Sequence, residues 1–276
     1  MTGDAPRPES AGGIAMIGGG RMASALAEGF CRAGLLSPAA IVVHDPAAAA
    51  REALAARLPG VRFAATAAEA AASAPLVWLA VKPQQAAEAC GGIAAVMEGR
   101  TLVSILAGMS TATLADLANT PRVIRVMPNT PCLVGKGVSV VCRTAAVPAD
   151  VAERVSDLLA AVGSVHDADE SLMNAVTAVS GSGPGFLALI VEAIAAGGER
   201  AGLPRPLATA LAVETLAGTG RLLEETGEDP AVIRERVSSP GGTTLAGLGV
   251  MADRGVAEAL VAAVLAATAR ASELGR

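Results

Sequence analysis

From Gly13 to about Val165, short apolar runs alternate with amphipathic stretches of helical length. Such alternation predicts a parallel β-sheet covered by helices. The expected strands are Ile14–Ile17, Ile41–Val43, Val61–Phe63, Leu76–Ala80, Thr101–Ile105, Val123–Val126 and Val138–Val141. Helices are expected between them, among others at Arg21–Arg32, Ala47–Arg57, Gln84–Met97 and Thr111–Leu117. After about Asp169 the strand signals stop, and long Ala/Leu patterns predict helices over Ser171–Val179, Pro184–Ala201, Arg205–Glu225, Pro230–Val237, Thr244–Arg254 and Val256–Leu274. The expected architecture is an α/β domain over 13–168 followed by an all-α domain over 169–276. Many of the later helices are apolar on more than one face, and about 100 residues alone hide such surfaces poorly. A second copy is therefore expected to cover them, giving a homodimer through the C-terminal helices, or a ring of such dimers.

Composition narrows the class. Of 276 residues 52% are hydrophobic and 17% charged, which excludes a disordered chain. A net charge of −5 and only four aromatic side chains, Trp78 and three Phe, remove both the electrostatic footprint and the stacking platforms of a nucleic-acid binder. The longest uninterrupted apolar run, Ala259–Ala269, is about half of the roughly 20 residues a membrane span needs, so no membrane span is expected. The first dozen residues lack an apolar segment behind a basic start and are expected to be a frayed extension rather than a leader. Cys31, Cys90, Cys132 and Cys142 show no paired spacing, so reduced thiols in a cytoplasmic protein are expected, with neither disulfides nor a metal site.

Chemistry enters at Gly18-Gly19-Gly20-Arg21-Met22-Ala23, a G-x-G-x-x-A loop between the first strand and the first helix. Gly18 permits a tight turn, Gly20 admits a pyrophosphate to the backbone, and Ala23 keeps the helix close to its strand. The plain alternative is a glycine turn in a chain that holds 31 glycines. Asp45, ending the second strand, is placed to meet a ribose and favours NADH; Arg21 has the charge to pair a 2′-phosphate, which leaves NADH and NADPH both open. Asp45-Pro46 also reads as the cap of the next helix.

A second glycine turn, Ser238–Thr244, offers a backbone nest, a helix N-terminus and two hydroxyls, a receptacle suited to a small carboxylate. A Thr-capped helix start explains the same residues. Lys82-Pro83 and Arg125–Pro131 lie at the carboxyl ends of strands, where ligands of open α/β sheets sit, so these residues, Lys82, Pro83, Arg125 and Asn129 among them, are candidates to line a nicotinamide crevice. Cys132 beside them reads as a packed thiol. The two histidines, His44 and His166, fall in no triad or ligand spacing. A site without a strong base suits hydride transfer to an electrophile that is already activated.

Taken together, IGGGRMASAL at Ile17–Leu26, AVKP at Ala80–Pro83, RVIRVMPNTP at Arg122–Pro131, AVSGSGP at Ala178–Pro184, ETGEDP at Glu225–Pro230 and SSPGGTT at Ser238–Thr244 resemble pyrroline-5-carboxylate reductase over about residues 13–274. The resemblance implies a Rossmann domain followed by a helical dimerisation domain, often assembled as rings of dimers. It implies NADPH or NADH as cofactor, contacted by Ile17, Gly18, Gly19, Gly20, Arg21, Met22, Asp45, Ala80, Val81, Lys82, Pro83, Ile105, Leu106 and Ala107, with Glu170 near the nicotinamide. It further implies 1-pyrroline-5-carboxylate as substrate, its carboxylate held by Ser239, Gly241, Gly242 and Thr243, and the Thr244 hydroxyl at the ring nitrogen.

Two departures stand out. Gly185-Phe186 replaces a common Ala-Tyr, and Leu106 replaces a small residue and is expected to crowd the cofactor edge; both bear on substrate breadth. A related hydroxy-acid dehydrogenase would need a lysine in the helical half, and none follows Lys136. The remaining alternatives are a reductase of another cyclic imine and a non-catalytic dinucleotide-binding protein.

Overall fold

The computed structural model describes residues 12–274; the N-terminal extension discussed above lies outside them apart from Gly12. In chain order the first part runs β1 (Ile14–Ile17), α1 (Arg21–Arg32), β2 (Ile41–His44), α2 (Ala48–Arg57), β3 (Arg62–Phe63), α3 (Ala67–Ala72), β4 (Leu76–Leu79), α4 (Ala86–Gly91), β5 (Thr101–Ser104), α5 (Thr111–Ala118), β6 (Val123–Met127), β7 (Gly137–Arg143), α6 (Ala149–Ala160) and β8 (Gly163–Asp167). The strands form one sheet in the order β3-β2-β1-β4-β5-β6-β7-β8. β1 thus sits between β2 and β4, where the winding reverses, and the carboxyl ends of β1 and β4 frame the crevice that open sheets use for ligands.

The sequence predicts a parallel sheet, and one pair of strands departs from this. β7 runs antiparallel to β6, because nine residues containing a 3₁₀ turn at Thr130–Val134 join them, too few for a crossover helix. β8 went unpredicted: GSVHD is polar and largely exposed, the pattern of an edge strand. The helix expected at Gln84–Met97 breaks at Gly91-Gly92 into α4 and flanking 3₁₀ turns, since paired glycines disfavour helix continuation.

Alternating side chains along the central strands feed two cores. One face carries Ile14, Met16, Trp78, Val103 and Ile124, packed on Leu26 and Phe30 of α1 and Val155, Leu158 and Leu159 of α6. The other carries Ala15, Ile17, Val77, Leu79 and Leu102 against α3, α4 and Leu114 of α5. Cys90, Cys132 and Cys142 are buried and all four cysteines are free. Burial raises the Cys90 and Cys142 thiols to about 11 and also pushes Cys132 up, in keeping with a packed thiol.

The second part comprises α7 (Met173–Val176), α8 (Gly183–Arg200), α9 (Arg205–Thr226), α10 (Pro230–Arg236), α11 (Thr243–Asp253) and α12 (Val256–Leu274). The stretch predicted as one helix over Ser171–Val179 is a 3₁₀ turn, α7 and a π-helical segment at Thr177–Gly181. By contact density the chain forms two compact units, one reaching Gly181 and including the tail from Ala267, the other Ser182–Ala266. Within the second unit Ala195, Ala208 and Ala212 make a small core between α8 and α9, while Leu189, Ile194, Val250 and Leu265 remain more than half exposed. Among the described residues one helical stretch, Glu170–Arg200, holds a window of mean hydropathy 1.5 and so is long and apolar enough to cross a membrane by length and composition alone.

The helix that follows the first glycine loop is fixed by a close approach at its far end. A Cβ on Gly29 of α1 would stand 2.0 Å from Cγ1 of Val162, just before β8. Gly29→Ala is therefore expected to destabilise the protein by about 1–3 kcal/mol by overpacking, despite the better helix propensity of alanine. Adding Val162→Ala should recover part of that loss; denaturant unfolding of both single variants and the double variant checks this, and strictly additive losses would contradict it.

Candidate active site

The first glycine loop occupies the switch point. Gly18 has φ of +101°, and a Cβ there would lie 2.6 Å from the carbonyl oxygen of Ala80, so only glycine fits. Its N–H donates to His44 O at 2.8 Å, and Ala80 N–H donates to Ile17 O at 2.8 Å, tying the loop to the ends of β2 and β4. Gly20 is the N-cap of α1; nothing stands within 4 Å of where its Cβ would be, and no side chain caps the helix. The first-turn N–H groups thus lack a side-chain cap at the positive end of a 12-residue helix, an arrangement suited to a pyrophosphate. Arg21 is exposed beside it and Met22 is half-buried, whereas the Ile17 side chain is core, leaving only its backbone to a ligand.

Asp45 supports the same loop. Its Oδ2 accepts the Gly19 N–H and its Oδ1 the Ala47 N–H, both at 2.8 Å, and the reading of Asp45-Pro46 as the cap of the next helix is corrected, because the N-cap of α2 is Ala47, without a side-chain cap. Arg51, which the sequence reading passed over, donates from Nη1 to the carbonyl oxygens of Asp45 at 2.7 Å and Pro46 at 3.0 Å. It brings a cation to this corner.

Ala80, Val81, Lys82 and Pro83 leave the end of β4, with Pro83 opening a 3₁₀ turn closed by Lys82 N–H to Gln85 Oε1 at 3.4 Å. Ile105, Leu106 and Ala107 leave β5. The expectation that Leu106 crowds the cofactor edge is corrected here: its side chain is 2% exposed and packs in the core with Leu79 and Leu114, so it points away from open space. The Asn129 side chain is also engaged internally. Its Nδ2 donates to Ser180 O at 3.2 Å and its Oδ1 accepts Val138 N–H at 2.8 Å, bracing the turn after β6 against the π-helical segment. A Cβ on Gly181 would meet Met127 Cε at 2.4 Å, the far end of a flexible side chain that can turn aside.

Glu170 lies on the wall of a cleft of about 780 Å³ with Thr111, Cys142, Arg143 and Asp167. Its Oε1 accepts the Thr111 N–H at 2.5 Å and its Oε2 the Thr111 hydroxyl at 2.7 Å. Arg125 Nη1 stands 3.8 Å from Oε1. Neither Thr111 nor Arg125 was singled out with Glu170 in sequence, 59 and 45 residues away in the chain, and no local pattern signals the cluster.

In the second unit the Ser238–Thr244 segment is a turn ahead of α11. Gly242 N–H donates to Ser239 O at 2.9 Å, Ser238 Oγ donates to Arg234 O at 2.6 Å, and Gly241 has φ of +71°. The Thr-capped alternative is corrected: the N-cap is Gly242, without a side-chain cap, and Thr243 and Thr244 are already helical. No side chain caps the backbone N–H groups at this 11-residue helix start, where Thr244 is half-buried and Ser239, Gly241 and Thr243 are exposed. Gly185, the other departure, has no atom within 4 Å of where its Cβ would be.

Comparison with known proteins agrees with this picture. Residues 170–274 match the family model described as pyrroline-5-carboxylate reductase dimerisation, and residues 13–108 match that of NADP oxidoreductase coenzyme F420-dependent. The pyrroline-5-carboxylate reductase of Synechocystis sp. is 40% identical over 263 residues, covering 95% of this chain and 98% of that protein. That of Arabidopsis thaliana is 36% identical, with 98% of each chain covered. The crystal structure of Plasmodium falciparum pyrroline carboxylate reductase, with NADP bound, superposes with a TM-score of 0.88 at 26% identity over 96% of this chain and 98% of that one. Relatives 36% and 40% identical over nearly the whole of both chains leave one assignment: the chain belongs to the pyrroline-5-carboxylate reductase family.

Proposed function

We propose that the chain reduces 1-pyrroline-5-carboxylate to L-proline, the last step of proline biosynthesis, with NADPH or NADH. The observation that carries the proposal is the pair of uncapped helix N-termini behind glycine turns, Gly18–Gly20 ahead of α1 and Gly241-Gly242 ahead of α11, one suited to a pyrophosphate and one to a carboxylate. A reduced nicotinamide, when bound, supplies the hydride that the imine carbon takes up.

The chain's own residues then have positioning tasks. Gly18, Gly19, Gly20, Arg21 and Met22 hold the pyrophosphate, Asp45 faces the ribose, and the backbone from Ala80 to Pro83 and from Ile105 to Ala107 shapes the edges of the crevice. Asn129 braces its floor, and Glu170 stands at the nicotinamide end. Ser239, Gly241, Gly242 and Thr243 hold the substrate carboxylate, and the Thr244 hydroxyl hydrogen-bonds the ring nitrogen. A cyclic imine is readily protonated and so arrives as an electrophile, which removes the need for a histidine relay. The lack of any lysine after Lys136 speaks against a hydroxy-acid dehydrogenase.

The exposed apolar residues of α8 to α12 are read as surface for a second copy, with rings of dimers as the larger assembly; the dimerisation description of the matched family model supports this over a lipid-facing role. A cytoplasmic location fits the unpaired cysteines.

Three outcomes follow. Purified protein should oxidise a reduced nicotinamide cofactor when given 1-pyrroline-5-carboxylate, and Thr244→Ala should lower kcat by about 100-fold, as removal of a transition-state donor does; no oxidation by the parent refutes the activity, and an unimpaired variant refutes the role of Thr244. A 2′-phosphate placed about 4 Å from the Asp45 carboxylate would cost about 4 kcal/mol near a protein surface. Asp45→Ser is accordingly expected to raise the ratio of kcat/KM for NADPH over NADH at least about tenfold, and an unchanged ratio removes Asp45 from the ribose site. Light scattering should give a mass of at least twice the 27.1 kDa of one chain, where a monomer would contradict the assembly.

A further inference from the structure

Among the described residues Arg125 is the one charged side chain that is buried, 3% exposed in the middle of β6. Its register partners are Ser104 on β5 and Cys142 on β7, small side chains that leave room for a guanidinium. Burying this group is unfavourable unless it is paired, and an apolar residue would fill a strand position at equal or lower cost. Burial holds the Arg125 pKa below its ordinary value, with Cys142 and Glu170 opposing that shift.

Around it lies a chain of polar contacts. Arg125 Nη1 is 3.8 Å from Glu170 Oε1, and Nη2 donates to Asn174 Oδ1 at 3.4 Å. Asn174 Nδ2 donates to Ser272 Oγ at 3.0 Å, and Ser272 in turn donates to Thr268 O at 3.1 Å. Glu170 is gripped at both oxygens by Thr111. Its side chain is 38% exposed where that of Arg125 is 4% exposed, so the carboxylate is the member of the pair that a ligand in the cleft can reach.

We propose that Arg125 is a positioning residue for the reduction: together with Thr111 it fixes the Glu170 carboxylate on the cleft wall, and it acts on bound molecules only through that carboxylate. The inference rests on the reductase reading and on Glu170 standing at the nicotinamide end. Three attachments, the N–H and hydroxyl of Thr111 and the charge of Arg125, over-determine one carboxylate, which is what precise placement at a reacting centre requires.

The test measures kcat and KM with the imine, affinity for ADP-ribose, emission of bound NADH and melting temperature, for the parent, Arg125→Lys, Arg125→Met, Glu170→Gln, Thr111→Val and the Arg125→Met/Glu170→Gln double variant. Arg125→Met and Glu170→Gln should each lower kcat about 10- to 100-fold, the scale of a small misplacement. The double variant should be no worse than Glu170→Gln alone. Arg125→Lys should recover most of the loss. ADP-ribose, which lacks the nicotinamide, should bind all variants within about twofold of the parent, while Arg125→Met moves the emission of bound NADH in the same direction as Glu170→Gln. Thr111→Val leaves no buried charge behind and carries the same comparison should Arg125→Met not fold. Additive losses, or a loss of ADP-ribose affinity in step with activity, would overturn the inference alone. A parent that oxidises neither cofactor would overturn the reductase reading and this inference with it.

Discussion

One close approach governs the molecule: the turn after β1 is pressed between the ends of β2 and β4. Gly18 bonds to His44, Ile17 accepts from Ala80, and a single methyl on Gly18 would strike the Ala80 carbonyl. That contact bends the chain sharply enough to aim α1 beyond the carboxyl edge of the sheet with its first N–H groups uncapped. The burial of Gly29 against Val162 holds the other end of the same helix. The two sheet cores keep the backbone of this loop in place, and in the proposed function it is that backbone which recognises the anion.

Where charged side chains gather, they hold structure in position instead of moving protons. Asp45 uses both oxygens on backbone N–H groups of the loop and the following turn, and Arg51 binds the carbonyls beside it. Glu170 is clasped by Thr111 and backed by Arg125. The buried cysteines, with raised thiol pKa values, are poor nucleophiles. This division of labour suits an electrophile that arrives activated and a cofactor that carries the chemistry.

Much of the fold was legible because its signals are local. β1, β4 and β5 are apolar runs buried on both faces, and α1 and α12 have the bounds their patterns predict. β8 was invisible since an edge strand needs no apolar alternation, and the direction of β7 depended on the length of a turn more than on its own residues. The turns at the two glycine loops could be read because each is one contiguous segment, though the capping residues beside them were misassigned. Thr111 and Arg51 could not be read, and Arg125, expected at the end of its strand, lies in the middle of β6: the partners of all three are set by strand register and helix placement. Leu106 was misjudged for the same reason, its direction being fixed by which sheet face it serves.

The central claim is that each unit contributes a backbone anion site, and a crystal structure with both NADH and L-proline bound tests it most directly. The account predicts the pyrophosphate on the N–H groups that open α1, at Gly20–Met22, and the proline carboxylate on those of Gly241, Thr243 and Thr244. A carboxylate held anywhere else, or a pyrophosphate away from the start of α1, would contradict it.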